Sequence, residues 1–454
     1  MNVFRRTVVR AQLHEHSGAL FTFLARAWAS GAGLVLVLLV TTHLSAAEQG
    51  YFFLFQTMLQ FQFLVELGFA VVLTQFVSHE WAHLALRGGV VEGDPAARAR
   101  LAGLMRLARR WYWSAGAGFF VLSAPVGVLF FSVGSEGDVA WQAPWLALCG
   151  AQAVALLYTP LPALLEGTGD VARSQRTLLI ANIVAGVGAW LALLGGLGLW
   201  APPVQVGLRA LVALALLLPA TRPLRHVHAS TEDTAQAGGW RPAFFRQQAR
   251  IAASWSAGLL MFQSLTPIAF AVQGAVVAGQ VGVLVQAFSA VNQLGSAWLT
   301  AAQPRMGHLG SLGRFAELRA LIQVTLLRCV GTAALLAGGV FGGLTLLHWL
   351  RPEQAERFGT LPMAAAFLGT GVVLQVSNVW TAAVRFQREE PFVIVAWVSA
   401  LAVVVSNFAL GYAAGGTGIA IGFLFVIGVV LVPCVGVITR ARLRALTRRE
   451  YLAS

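Results

Sequence analysis

Glu66-Leu67-Gly68-Phe69-Ala70 and Gln293-Leu294-Gly295-Ser296-Ala297 are one short pattern written twice, 227 residues apart, half of a 454-residue chain. The same spacing (255 − 28) carries Trp28-Ala29-Ser30-Gly31 onto Trp255-Ser256-Ala257-Gly258. Both patterns sit in long apolar runs. Two halves built from membrane spans are the usual construction of a secondary transporter, with the substrate path at their interface.

Hydrophobic residues make up 57% of the chain and charged residues 11%. A soluble domain carries about 25% charged residues, so this chain lacks the polar coat a soluble fold needs. Apolar runs of 18 or more residues read as membrane helices, because a hydrocarbon core of roughly 30 Å takes about 20 helical residues. Twelve such runs are legible: about 27–44, 51–77, 111–133, 144–165, 177–199, 205–220, 251–278, 280–304, 323–350, 361–384, 391–412 and 418–439. They are continuous rather than alternating, which argues against strands. Gly279-Gln280 is the expected turn of the seventh run into the eighth. The expectation is an all-α polytopic membrane protein of about twelve transmembrane helices in two pseudo-symmetric six-helix lobes. Residues 1–220 form the first lobe, 221–250 a cytoplasmic linker and 251–454 the second.

All 31 basic residues are Arg, and 27 of them fall in the segments on one side of this topology. The positive-inside rule then places both termini in the cytoplasm. The net charge of +13 reflects that bias and contact with anionic lipid rather than nucleic-acid binding. Residues 1–26 carry Arg5, Arg6, Arg10 and Arg26 without an isolated short apolar core, so no secretory signal is expected there. Cys149, Cys329 and Cys434 fall in apolar runs with no zinc or disulfide spacing, so each is expected to pack in apolar surroundings. No loop is long enough for an independent catalytic domain, and no His/Asp/Glu cluster is present. The chain therefore reads as a non-enzyme with no catalytic residues, no metal site and no cofactor.

Polar residues inside the spans carry the functional signal. Gln286, Ser289, Asn292, Gln293, Ser296, Thr300 and Gln303 fall within an arc of roughly 120° at helical spacing. Lipid cannot satisfy amides, so this arc faces either a neighbouring helix or water. The second run is its repeat mate, with Gln56, Gln60, Gln62 and Glu66. A carboxylate deep in a span must be protonated, paired or hydrated. Glu66 is thus either the coupling residue for a proton or other cation, or a structural acid bonded to a neighbour. Arg26 and Arg209 lie near span ends, where each snorkels to the headgroups or turns inward to hold a phosphate. The tryptophans, among them Trp28, Trp141 and Trp145, suit interfacial anchors. The clustered glycines serve either close packing or bending.

Ala47-Glu48-Gln49-Gly50-Tyr51-Phe52, followed by Phe63-Leu64-Val65-Glu66-Leu67-Gly68-Phe69-Ala70, resembles the start of bacterial polysaccharide (O-antigen, Wzx-type) flippases. That family belongs to the multidrug/oligosaccharidyl-lipid/polysaccharide exporter superfamily, which also holds multidrug antiporters and lipid II flippases. The resemblance implies a protein of the bacterial inner membrane. It would move a polyprenyl-pyrophosphate-linked oligosaccharide to the outer leaflet by alternating access, with H+ or Na+ coupling and polysaccharide polymerase or assembly partners. The cavity would include Arg26, Gln56, Gln60, Glu66, Arg209, Gln286, Ser289, Asn292, Gln293 and Ser296. One departure stands out: such cavities are described as cationic, whereas the deep charge here is Glu66. A cation-coupled multidrug antiporter and a non-transporting envelope-biogenesis subunit are the competing readings.

Overall fold

The computed structural model describes residues 31–133, 139–225, 238–385 and 391–453, with Phe21, Leu24, Ala25, Trp28 and Val227. Its helices are α1 (Gly31–His43), α2 (Ala46–Leu59), α3 (Gln62–Glu66), α4 (Phe69–Trp81), α5 (Pro95–Val133), α6 (Gln142–Tyr158), α7 (Pro160–Gly167), α8 (Val171–Leu194) and α9 (Ala201–Ala220). They continue with α10 (Arg241–Gln263), α11 (Leu265–Gly295), α12 (Ala297–Ser311), α13 (Phe315–Leu350), α14 (Leu361–Arg385), α15 (Val393–Phe425) and α16 (Val432–Ala453).

Among the described residues, eight helices are long and apolar enough to cross a membrane, or nine when the bent pair through α2–α4 counts as one span. Two of the eight, Arg241–Gly295 and Val393–Arg442, are 55 and 50 residues long, far more than a bilayer needs at about 1.5 Å per residue. Each is broken by a glycine in the left-handed half of backbone space, Gly274 (φ 80°) and Gly415 (φ 61°). With α1 as a further short apolar helix, the described residues of each apolar run fall mainly on helix. The chain is an all-α, multi-pass membrane protein.

The structure adds detail to the sequence reading in three places. The seventh run turns at Gly274, not at Gly279-Gln280, because Gly279 lies mid-helix against Gly50, where an added Cβ would meet the Gly50 nitrogen at 3.0 Å. A small antiparallel hairpin, β1 (Leu84–Arg87) and β2 (Val90–Gly93), interrupts the loop after α4. Its turn is Gly88-Gly89, both with positive φ, the combination that matches the twist of a two-residue hairpin. α10 starts at Arg241, within the stretch 221–250.

The chain divides into two compact units. The first takes in residues up to Leu44, Met58–Val133 and onward to Ser256. The second takes in Ser45–Thr57 and the chain from Ala257. The bounds of these units are thus Ser45–Thr57 and Ala257 onward rather than a single cut in the chain. In the second unit, Gly50 packs on the turn at Ala275, Tyr51 meets Phe270 edge-on at 5.5 Å, and Gln49 Nε2 donates to the Arg357 carbonyl at 3.0 Å. In the first unit, Phe244 of α10 packs on Phe69 at 4.9 Å and on Phe76 at 5.2 Å.

The first unit is a bundle in which α5 packs on α6, α6 and α8 on α9, and α4 on α7. Trp141 and Trp145 are buried in it against Phe131, and Trp145 donates to the Ala124 carbonyl at 3.2 Å. They are core residues, not interfacial anchors. Trp28 likewise packs on Trp190 and donates to the Asn182 carbonyl at 3.2 Å. In the second unit, α11 packs on α14 and α15, and α13 packs on α12 and α14 around Met306, Leu318, Cys329 and Val379. Cys149 and Cys329 are buried, but Cys434 is exposed, contrary to its expected packing role.

The acidic-Gly-aromatic string at 48–51 has a structural basis. Ser45 and Glu48 form a capping box at the start of α2: the Ser45 N–H donates to Glu48 Oε2 at 2.8 Å, and the Glu48 N–H donates to Ser45 Oγ at 3.1 Å. Gly50 supplies a close backbone approach, with an added Cβ falling 1.9 Å from the Ala275 oxygen. Gly50→Ala is expected to cost about 1–3 kcal/mol through overpacking, read as a lower thermal midpoint in detergent. Gly258→Ala, whose new Cβ meets nothing within 4 Å, is expected to leave the midpoint unchanged or slightly raised. Equal effects would contradict this packing.

Candidate transport site

The repeated Leu-Gly pattern marks a helix break in both units. In the first, α3 ends at Glu66, and Leu67 (φ 52°) and Gly68 (φ 70°) are both left-handed. Leu67 is the one non-glycine residue among those described with positive φ. A Cβ-bearing residue there is strained by roughly 1–2 kcal/mol, and such strain concentrates at functional positions. Gly68 is further confined by Ile251, 2.5 Å from where a Cβ would stand. The bend between the two limbs is 45°. In the second unit α11 ends at Gly295 and α12 starts at Ala297, with Ser296 between them in ordinary right-handed geometry. The second break is the milder one.

Each break carries a polar cluster. Glu66 is 8% exposed, and the Tyr112 hydroxyl of α5 donates to its Oε1 at 2.9 Å. Phe69, just past the break, stacks on Trp111 at 5.2 Å and meets Tyr112 edge-on at 5.6 Å. An aromatic wall thus holds the tyrosine over the carboxyl group. Gln62 accepts from Gln152 of α6. At the second break the fully buried Gln375 of α14 donates to Asn292 Oδ1 and to the Asn292 carbonyl, both at 3.1 Å, and accepts from Ser296 Oγ at 3.0 Å. Asn378 donates to Asn292 Oδ1 at 3.0 Å.

The sequence stripe on the eighth span therefore separates into two faces. Asn292 and Ser296 turn toward α14 and are spent on structure. Gln286, Gln293, Thr300 and Gln303 remain exposed, and Ser289 is half-buried. Primary amides do not persist against hydrocarbon, so this exposed face is the one suited to water or a polar ligand.

The second-span candidates fall in two different compact units. α2 ends at Leu59, before Gln60, and Gln56 groups with the second unit while Gln60 and Glu66 group with the first. The arc of Gln56, Gln60, Gln62 and Glu66 runs along one limb, Ala46–Glu66, interrupted only by a turn at Gln60 and Phe61, where Phe61 keeps right-handed geometry. Arg209 is exposed on α9 and forms no ion pair with Glu66. Arg26 lies outside the described residues. Sequence reading missed Tyr112. Its signal was the run Arg109-Arg110-Trp111-Tyr112-Trp113, in which a buried tyrosine hydroxyl must find an acceptor. Among the described residues no group of His, Cys, Asp and Glu could hold a metal.

Solved structures share this architecture. The inward-facing form of a multidrug resistance MATE family transporter aligns over 92% of this chain and 96% of its own, at 14% identity and TM-score 0.68. The fold is that of MOP superfamily transporters. The lipid II flippase MurJ in an inward closed conformation aligns over 92% of this chain and 86% of its own, at 13% identity and TM-score 0.61. A eukaryotic MATE transporter aligns over 97% and 99%, at 15% identity and TM-score 0.60. At these identities the likeness establishes the fold. No protein-family model and no curated protein matches the chain by sequence.

Removing the tyrosine hydroxyl leaves a buried carboxyl oxygen without its donor. Tyr112→Phe is expected to destabilise the chain by about 1–3 kcal/mol, measured by thermal unfolding in detergent. In the Glu66→Leu background the same change is expected to cost less, as coupled neighbours do. A full, unreduced cost in that background would mean that the hydrogen bond contributes nothing.

Proposed function

We propose that this protein moves a polyprenyl-pyrophosphate-linked oligosaccharide from the cytoplasmic to the outer leaflet of the bacterial inner membrane. The observation that carries this reading is the exposed amide face of α11 and α12, Gln286, Gln293 and Gln303. Amides offer both donors and acceptors, which suits the hydroxyls of a sugar head. The Wzx-like stretches and the shared fold with a lipid II flippase support the same reading. The Arg distribution favours cytoplasmic termini. No covalent chemistry is needed: differential affinity of two conformations for the head group, biased by an ion gradient, moves the cargo. Polymerase or assembly proteins of the envelope would take the delivered lipid.

The buried Glu66 favours a second reading, a cation-coupled multidrug antiporter, and the MATE family structures lend that reading the same fold. Under either reading Glu66 is the coupling candidate, held in place by Tyr112.

Proteoliposomes loaded with a short polyprenyl-diphosphate oligosaccharide test the proposal, with exposure of the sugar read by a membrane-impermeant lectin. Wild-type protein is expected to expose it and Glu66→Gln to lower the rate. One amide–hydroxyl hydrogen bond is worth about 1 kcal/mol, so Gln293→Ala is expected to slow transport roughly fivefold. As an exposed substitution it should hold stability within about 0.5 kcal/mol. Gln375→Leu, by contrast, strips partners from the buried amide cluster and is expected to cost about 1–3 kcal/mol of stability. Efflux of cationic dyes with no glycan exposure would replace the first reading by the second.

A further inference from the structure

The first unit contains a cavity of about 580 Å³ that borders the Glu66 cluster through Tyr112 but does not include Glu66 itself. It lies where α5, α7 and α9 meet, and Val227 closes part of it. Two guanidinium groups line it, Arg106 and Arg109, one helical turn apart on α5. Both residues are exposed, and among the described residues neither forms an ion pair. Glu166, near the end of α7, is already engaged by Ser174 and Gln175. The rest of the wall is apolar, with Leu161 of α7 and Leu214 of α9, and Trp113 and Tyr112 complete the α5 side.

The depth of this cavity is set by α5. At 39 residues the helix is about 58 Å long, twice a hydrocarbon core of roughly 30 Å. Its apolar run begins at Trp111, so Arg106 and Arg109 precede that run, where a headgroup would stand, while Leu161 and Leu214 belong to the apolar runs 144–165 and 205–220. Unpaired cations above an apolar slot match an anionic amphiphile in charge and in polarity gradient.

We propose that this cavity is a binding site for an anionic glycerophospholipid. Arg106 and Arg109 hold its phosphate, and Leu161 and Leu214 receive the upper part of an acyl chain. The bound lipid lies against Tyr112, the residue that holds Glu66, so lipid occupancy bears on the bend of the second span. The site does not depend on the cargo proposed above, and its test uses no transport assay.

The full chain in neutral detergent is titrated with phosphatidylglycerol, with phosphatidylcholine and with inorganic phosphate, and the thermal midpoint is followed. Phosphatidylglycerol is expected to raise the midpoint with concentration, as a ligand of the folded state does, while the other two leave it unchanged. In R106Q/R109Q the apparent affinity is expected to fall roughly tenfold or more. Leu214→Trp, which fills the slot, is expected to have the same effect. A photoreactive phosphatidylglycerol gives a second readout on the wild-type chain, with label expected on α5, α7 and α9. The proposal is overturned if phosphatidylcholine or phosphate alone gives the same shift, if R106Q/R109Q binds as wild type, or if the label maps to other helices.

Discussion

The hydrogen bond from Tyr112 to Glu66, 2.9 Å long in a buried setting, is the interaction on which the first unit's functional geometry depends. A membrane helix can stop and restart inside the bilayer only where other groups take over the freed backbone and polar side chains. Here the chain stops at two consecutive left-handed residues, Leu67 and Gly68, directly after its deepest carboxyl group. The aromatic wall of Trp111, Tyr112 and Phe244 around Phe69 fixes both the break and the acid. Strain at Leu67 is tolerated because that surrounding structure leaves it no other conformation.

The second unit meets the same requirement without a charge. Its break at Gly295–Ser296 is closed by Gln375, Asn378 and Asn292, three amides that satisfy one another. Gln293 stands where the first repeat has Glu66, and it is left exposed instead of buried. One repeat position has therefore taken two roles: a held acid in one unit and a free amide in the other. Such division of labour suits a transporter in which coupling and cargo recognition are served by different helices.

Much of this was legible in the sequence, and for identifiable reasons. Spans follow from apolar length, which the bilayer dictates, so the described residues of the apolar runs fall mainly on helix. Both breaks were marked by the repeated Leu-Gly pattern, although its meaning as a break was not read. What could not be read was anything set by packing across the fold. Ser45–Thr57 joins the second unit because Gly50 and Tyr51 fit the turn after Gly274, and hydropathy carries no trace of that fit. The polar stripe of the eighth span looked continuous on a helical wheel. Only the partners on α14 divide it into Asn292 and Ser296, which are satisfied, and Gln286, Gln293 and Gln303, which are not covered. Trp141 and Trp145 looked like anchors because indole composition alone does not distinguish an interface from a core.

The account rests on the exposed amides of α11 and α12 facing water within the membrane, and cysteine accessibility tests that directly. In a background lacking the exposed Cys434, cysteines placed singly at Gln286, Gln293 and Gln303 are treated in intact membranes with a membrane-impermeant thiol reagent. Leu335, a largely exposed apolar position on α13, serves as the lipid-facing control. The account predicts labelling at the three glutamine positions and none at 335. Protection at all three would mean that this face meets lipid or protein, and the chain would then have no wet surface for a sugar to follow.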